Sequence, residues 1–190
     1  MTGPAILQTV GRALDAAGIP FMLTGSFASA YHGAGRATMD VDLVIDPTPA
    51  QLRALIDGLP ASAWYASLEA ALEAREQESQ FNLIELETGW KVDLIIRKSR
   101  PFSRIEFDRR TVIEFEGVRL AVATVEDVIL AKLEWASLGG SARQLEDVAA
   151  LLSARSADLD RPYLARWIAQ LGVASQWEAA KRLAGMYGAT

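Results

Sequence analysis

The spacing of apolar residues along the chain changes near residue 123. Before that point, short apolar runs typical of strands alternate with helical stretches, and after it apolar residues recur with a period of about 3.6. The pattern predicts an α+β fold. An α/β core, with a mixed sheet and flanking helices, is expected over residues 1–123, and a C-terminal helical bundle is expected over residues 124–190.

Glycine and proline residues separate the predicted elements. Helices are predicted over Ala5–Ala17, Ala28–Tyr31, Pro49–Leu59, Leu68–Gln77, Val125–Leu138, Ala142–Ala154, Arg161–Leu171 and Gln176–Met186. Strands are predicted over Phe21–Leu23, Met39–Ile45, Phe81–Glu87, Trp90–Arg97, Ile105–Phe115 and Val118–Val122, with a turn at Glu116-Gly117 between the last two. All predicted strands therefore precede the helical tail.

Composition narrows the classes of function. The 190 residues carry a net charge of −5, which argues against a broad nucleic-acid groove. The absence of cysteine and the single histidine exclude disulfides, thiolate zinc sites and multi-histidine metal sites, so a metal would be held mainly by carboxylates, as Mg²⁺ is. No apolar run reaches the roughly 20 residues of a membrane span, and the start lacks a signal-peptide pattern. We expect a cytoplasmic protein with no membrane partner.

The segment Gly25–Ile45 holds the most informative residues. Gly25 and Ser26 follow a strand and precede a helix, where glycine lets a ligand approach the backbone and the following amides and the serine hydroxyl bind phosphate. The same pair is also typical of a plain strand-to-helix turn capped by serine. Asp40 and Asp42 project from one face of a strand, and carboxylates that close favour a shared divalent cation. A solvent-facing edge strand would also tolerate them, but the apolar residues around them indicate a central strand.

Asp93 lies inside a later strand that is otherwise apolar. A lone acid there is costly unless it is paired or bound to a metal. By itself Asp93 is interpreted as a partner of Lys91 or of a nearby arginine. As the third acid of a set with Asp40 and Asp42, it becomes a candidate metal ligand and general base.

Together these motifs resemble the nucleotidyltransferase superfamily related to DNA polymerase beta. The residues are Gly25-Ser26, Gly35-Arg36-x-Thr38, Asp40-x-Asp42 and Asp93, and they are similar to those of small bacterial AbiEii-type toxins of toxin–antitoxin pairs. The resemblance implies a nucleotidyltransferase-fold mixed sheet and transfer of a nucleotide from a nucleoside triphosphate, such as ATP, to a hydroxyl on tRNA, a protein or a small molecule.

The resemblance also implies roles for the site residues. Asp40 and Asp42 would hold two Mg²⁺ ions, and Asp93 would complete the ion nearer the acceptor and help to take its hydroxyl proton. Gly25 and Ser26 would contact the triphosphate.

The helical tail matches the AbiEii-type pattern in part. Lys132 falls inside the apolar stripe of the first tail helix, where that family has a lysine near the nucleotide. The family's Arg-Asp-x-x-Asp sequence reads RQLED here, so Gln144 departs from it and Asp147 matches it. The resemblance makes Lys132 and Arg36 candidates for nucleotide binding and Asp147 a further candidate. The alternatives are a Lys132–Asp147 pair that joins two packed helices, and a pair between Arg36 and an aspartate in its own loop.

One segment is rich in basic residues. Six of the 19 basic residues lie between Arg97 and Arg110, with Phe102 and Phe107 among them. Such a segment is a candidate contact for an RNA acceptor, or else a solvated loop balanced by neighbouring acids.

Two classes of function remain open at this point. The first is the Mg²⁺-dependent nucleotidyltransferase, with an antitoxin as a candidate partner. The second is a non-catalytic nucleotide-binding or protein-interaction module that retains the nucleotidyltransferase fold. The three acids favour the first, whereas Gln144 is the kind of change expected of the second.

Overall fold

The computed structural model describes residues 2–115 and 118–185, which form two compact units. The sheet unit comprises the described residues up to Phe27 together with Ala37–Ala123. The helical unit comprises Ala28–Arg36 and the described residues from Thr124 onward. Across these described ranges, every helix is too short or too polar to span a membrane.

A seven-stranded mixed sheet organises the sheet unit. Its strands are β1 (Phe21–Thr24), β2 (Asp40–Ile45), β3 (Trp64–Tyr65), β4 (Gln80–Glu85), β5 (Lys91–Ile96), β6 (Thr111–Phe115) and β7 (Val118–Val122), in the order β3-β4-β5-β2-β1-β7-β6. The first five helices are α1 (Gly3–Ala16), α2 (Gly25–Tyr31), α3 (Pro49–Gly58), α4 (Leu68–Glu76) and α5 (Pro101–Asp108). β2 pairs antiparallel with β1 and parallel with β5, so the predicted α+β fold with a mixed sheet is confirmed.

β2 is the middle strand of this sheet. Its residues Val41, Leu43, Val44 and Ile45 are all buried, so apolar groups cover both faces of its C-terminal half. The prediction of a central strand is therefore confirmed. The polar residues of β2 lie at its N-terminal end, which is the end that carries the candidate site.

The predicted strand over Ile105–Phe115 is wrong in its first part. Residues 101–108 form α5, and β6 begins only at Thr111. Pro101 occupies the first turn, where its fixed φ suits a helix. The buried residues of α5 share one helical face: Phe102, Ser103, Glu106 and Phe107. The sequence pattern missed this face because its apolar content is only two phenylalanines.

Other elements differ from prediction only in detail. β3 was not predicted because two residues show no periodicity, although it pairs with β4 and buries Trp64. The predicted turn at Glu116-Gly117 and the predicted helix end at Met186 lie outside the described residues.

The helical unit contains α6 (Val125–Gly139), α7 (Ala142–Arg155), α8 (Arg161–Leu171) and α9 (Ala174–Leu183). α6 packs against the other three helices and is buried along most of its length. Asp127 of α6 is fully buried and accepts hydrogen bonds from the Thr124 hydroxyl at 2.6 Å and the Tyr163 hydroxyl at 2.5 Å. These bonds compensate the burial of a charged group and join α6 to α8. The predicted C-terminal helical bundle is confirmed.

The turn between β4 and β5 is held by a buried carboxylate, Glu85. It accepts the backbone N–H of Glu87 at 3.1 Å, the backbone N–H of Thr88 at 2.9 Å and the Thr88 hydroxyl. The Thr88 hydroxyl is the largest cause of the lowered pKa of Glu85, and burial opposes it. The turn leads directly into β5, which carries two of the candidate site residues.

We expect Glu85→Gln to lower the melting temperature at neutral pH, because the neutral amide is a weaker acceptor than the carboxylate. Because the pKa is lower in the folded state, the stabilisation is present above the unfolded pKa of about 4.3 and is lost as the pH falls through the folded pKa. The gap between variant and wild type should therefore close in acid. Thermal melts across this range test it, with the exposed Glu87→Gln as a charge-matched control. Equal effects of the two variants at neutral pH would contradict the assignment.

Candidate active site

Register and strand alternation place the three predicted acids on one face of the sheet. Asp42 of β2 is the register partner of Asp93 of β5, and Asp40 is the partner of Lys91. Adjacent strands lie about 4.8 Å apart, and residues two apart in a strand share a face. The structure therefore brings Asp40, Asp42 and Asp93 together and adds a lysine to the group.

Lys91 forms an ion pair with Asp93. The Lys91 Nζ lies 2.8 Å from Oδ1 and 2.9 Å from Oδ2 of Asp93, and only the contact with Oδ2 has hydrogen-bond geometry. Asp93 is 9% exposed, whereas Asp40 is exposed and Asp42 is half-buried. The hydrogen bond with Asp93 raises the pKa of Lys91, and the negative charges of Asp93, Asp40 and Asp42 act in the same direction against the effect of burial. Lys91 is thus a charged member of the cluster.

Gly25, the first residue of α2, lies against the Asp42 carboxylate. Its φ is +63°, and a Cβ at this position would lie 2.0 Å from Asp42 Oδ2 and 2.6 Å from Asp42 Cγ. Both the backbone conformation and the space therefore require glycine. The sequence predicted close approach of a ligand to Gly25, and the group nearest to the position of a Cβ there is the Asp42 carboxylate. Ser26, the next residue, is buried.

Sequence reasoning missed two polar residues in the same row of the sheet. Thr24 of β1 is the register partner of Asp42, and Asn82 of β4 is the register partner of Asp93. A polar row therefore crosses four neighbouring strands. Thr24 precedes Gly25 directly, so its position was a usable signal, but nothing local to Asn82 shows which strand it will pair with.

These residues fit a hard cation in kind. Asp40, Asp42 and Asp93 present carboxylate oxygens on one face, and carboxylate oxygens are ligands that Mg²⁺ prefers. Over the part of the chain that the structure describes, however, no three or more His, Cys, Asp or Glu side chains are grouped as metal ligands. Asp93 is instead engaged by Lys91. Asp40 and Asp42 are therefore the residues that would hold a metal ion.

The remaining predicted residues lie in the helical unit and contact one another. Lys132 Nζ lies 2.6 Å from Asp147 Oδ2 and 3.3 Å from Gln144 Oε1, and Lys132 is 4% exposed. Arg36 Nε lies 3.2 Å from both Asp147 oxygens. One buried carboxylate thus bridges two cations, and Gln144 contributes a neutral oxygen where the family pattern has an acid. The pairing of Arg36 described here is with Asp147 on α7.

The basic segment is largely engaged within its own unit. The Arg97 guanidinium lies 2.8 Å from Asp46 Oδ2, and the Arg110 guanidinium stacks 4.1 Å from the centre of the Phe107 ring. Phe102 and Phe107 are buried at 2% and 4% exposure, so neither ring presents a face for stacking a base. These contacts favour the interpretation of this segment as a charge-balanced surface.

The comparisons with known proteins bear on the family and the fold. The family model described as "Nucleotidyl transferase AbiEii toxin, Type IV TA system" matches residues 7–185. A search of curated proteins gave no significant match.

Among solved structures, an antigenic nucleotidyltransferase-like protein from Paracoccidioides brasiliensis is 17% identical, with a TM-score of 0.55 and coverage of 93% of this chain and 91% of that chain. JHP933 from Helicobacter pylori is 18% identical, with a TM-score of 0.43 and coverage of 98% and 91%. The antibiotic-resistance factor ANT(2'')-Ia is 12% identical, with a TM-score of 0.49 and coverage of 94% of both chains. At such identities the first likeness supports the fold, and the other two support no further argument.

Proposed function

Because the chain belongs to the AbiEii family of nucleotidyltransferases, we propose that it transfers a nucleotide from a nucleoside triphosphate to a hydroxyl acceptor and depends on Mg²⁺ for the reaction. Residues 1–123 are the proposed catalytic core, and residues 124–190 are the proposed helical subdomain. The family match supports a nucleotidyltransferase as such. The metal, the nucleotide and the acceptor belong to the proposal.

The arrangement around Asp42 is the observation that carries the proposal. Asp42 lies in register with Asp93 and on the same face as Asp40. It packs so close to Gly25 that a side chain at position 25 would overlap its carboxylate. Even with the Lys91 ammonium beside Asp93, three acids together on one sheet face leave a net negative charge there, which is unfavourable. A divalent cation would balance the negative charge of the acids and would also bind the negatively charged phosphates of a substrate.

The proposed reaction breaks the phosphoanhydride bond between the α- and β-phosphates and forms a phosphoester bond to the acceptor. The acceptor oxygen bonds to the α-phosphorus, the bond from that phosphorus to the bridging oxygen of the β-phosphate breaks, and pyrophosphate leaves. Mg²⁺, when bound by Asp40 and Asp42, would supply charge neutralisation for the phosphates. Asp93 is the proposed acceptor of the hydroxyl proton, and Gly25 and Ser26 are the proposed contacts of the triphosphate.

The nucleotide-binding roles of Arg36, Lys132 and Asp147 stay predictions. Their mutual contacts account for the burial of the Lys132 and Asp147 charges within the helical unit, and Arg36 joins them from a half-buried position. A phosphate role for Lys132 would therefore act in addition to its pairing with Asp147.

The acceptor and the partner are proposed by class. The acceptor is a hydroxyl on tRNA, a protein or a small molecule. The description of the matched family as the toxin of a Type IV system supports proposing an antitoxin as the protein partner.

Growth of a bacterial host should stop when the protein is expressed, and Asp42→Asn should relieve the arrest.

Transfer of label tests the reaction directly. The purified protein is incubated with Mg²⁺ and each α-labelled triphosphate, together with total tRNA, a protein extract or an aminoglycoside. We expect label in one acceptor class, loss of labelling with EDTA, and release of pyrophosphate in equal amount. Labelling of no acceptor, combined with no binding of any triphosphate, would leave the non-catalytic interaction module as the better account.

We expect Mg²⁺ and ATP together to stabilise the wild type but not Asp40→Asn/Asp42→Asn. Ligand at about 100 times its Kd adds about 2.7 kcal/mol to the free energy of unfolding, and the double variant loses the carboxylates that would hold the ion. Thermal melts with ATP, with and without Mg²⁺, measure this difference. The matched control is Asp15→Asn/Asp57→Asn, which removes two exposed carboxylates. An equal metal-linked shift in both double variants would contradict the assigned ligands.

A further inference from the structure

Lys91 lies within the acidic cluster because the strand places it there. It is two residues before Asp93 in β5, so strand alternation puts the two side chains on the same face. Its register partner in β2 is Asp40. Lys91 therefore has Asp40 across the strand pair and Asp93 on its own strand, and both belong to the acidic cluster.

The ammonium engages the carboxylate that the two-ion arrangement would require. Its Nζ lies within 2.9 Å of both oxygens of Asp93, which is the most buried of the three acids. A cation at this distance competes for the oxygens of the carboxylate. A second metal ion that used Asp93 would therefore either lie close to the Lys91 ammonium or displace it.

The formal charge of the cluster also favours one divalent cation over two. Asp40, Asp42 and Asp93 carry three negative charges and Lys91 carries one positive charge, which leaves −2 on the cluster. One divalent cation balances that charge. A second divalent cation beside Lys91 would instead place two positive centres close together on one carboxylate, which is unfavourable at short range.

We propose that Lys91 is a resident cation that replaces one of the two metal ions, so that the site takes a single divalent cation, held by Asp40 and Asp42. The proposal rests on the proposed function and specifies its metal requirement. It revises the two ions that the family resemblance implies. In this arrangement Lys91 is a positioning residue, since it acts by holding Asp93.

Counting metal and nucleotide retained by the protein tests this proposal. The full chain is dialysed to equilibrium against Mn²⁺ and the non-hydrolysable α,β-methylene analogue of ATP, and the retained Mn²⁺ is counted by EPR after release with acid. We expect one Mn²⁺ per retained nucleotide for the wild type and two for Lys91→Met, because the vacated position beside Asp93 becomes available. Lys91→Arg and the exposed-residue control Lys98→Met should both retain one.

Each result decides the proposal. Two Mn²⁺ ions per nucleotide in the wild type, or one in folded Lys91→Met, would overturn the role of Lys91 and leave the proposed function standing. Retention of neither Mn²⁺ nor the analogue by any variant would overturn the proposed function and this inference together. Circular dichroism establishes whether Lys91→Met folds. If this variant does not fold, the number of Mn²⁺ ions that the wild type retains per nucleotide decides between one metal ion and two.

Discussion

Gly25→Ala is expected to reduce nucleotide transfer by about 100-fold or more, the size of effect that follows displacement of a reacting group by about 1 Å. The new Cβ would lie 2.0 Å from Asp42 Oδ2, far inside van der Waals contact, so the carboxylate must move. Asp42 is fixed on the central strand by pairing on both sides, so its side chain has to rotate away from the cluster. Initial rates with labelled triphosphate measure the loss.

A matched glycine separates this contact from backbone strain. Gly140 has φ +61°, close to the +63° of Gly25, but no heavy atom lies within 4 Å of the Cβ that a substitution would add. Gly140→Ala should therefore carry a similar backbone strain without the clash and should retain the transfer rate. If both variants lose activity equally, the contact with Asp42 does not explain the requirement for glycine.

Asp147→Ala is expected to lower the free energy of unfolding by about 3–5 kcal/mol, the usual effect of removing one partner of a buried ion pair. Asp147 holds Lys132 at 2.6 Å and Arg36 at 3.2 Å, and the side chains of Lys132 and Asp147 are 4% and 9% exposed. Without the carboxylate, the Lys132 ammonium remains inside the helical unit and loses its ion pair, while the oxygen of Gln144 at 3.3 Å is neutral. Urea unfolding followed by circular dichroism measures the loss.

An exposed ion pair provides the control for this experiment. Asp158 pairs with Arg155 at 3.4 Å, and its side chain is 66% exposed. Asp158→Ala should cost no more than about 1 kcal/mol, because solvent screens such pairs. A loss of similar size for Asp147→Ala would show that the cluster of Arg36, Lys132 and Asp147 does not stabilise the helical unit, and would favour a role in ligand binding.

The candidate site was predictable where its signals are local. The two acids of Asp40-x-Asp42 share a face because strands alternate with a period of two, and the same period links Lys91 to Asp93. Gly25 has a positive φ and lies where β1 ends and α2 begins, which is a position where glycine is typical. The prediction of a strand from Ile105 was wrong because too few apolar residues lie there to reveal the helical face.

The sequence by itself determined the mixed α+β core, the helical tail, the carboxylate character of the site and the family resemblance, since each depends on residue type and short-range periodicity. Only the tertiary structure decided which residues meet. Register set Asp42 opposite Asp93 across 51 positions of the chain, and packing in the helical unit brought Arg36 to Asp147 across 111. Such pairings depend on the burial of whole strands and helices, which no local pattern encodes. The Lys91–Asp93 contact depends on both the local pattern and the tertiary structure. Strand alternation puts the two side chains on one face, and burial of Asp93 in the paired sheet makes Lys91 its counter-ion.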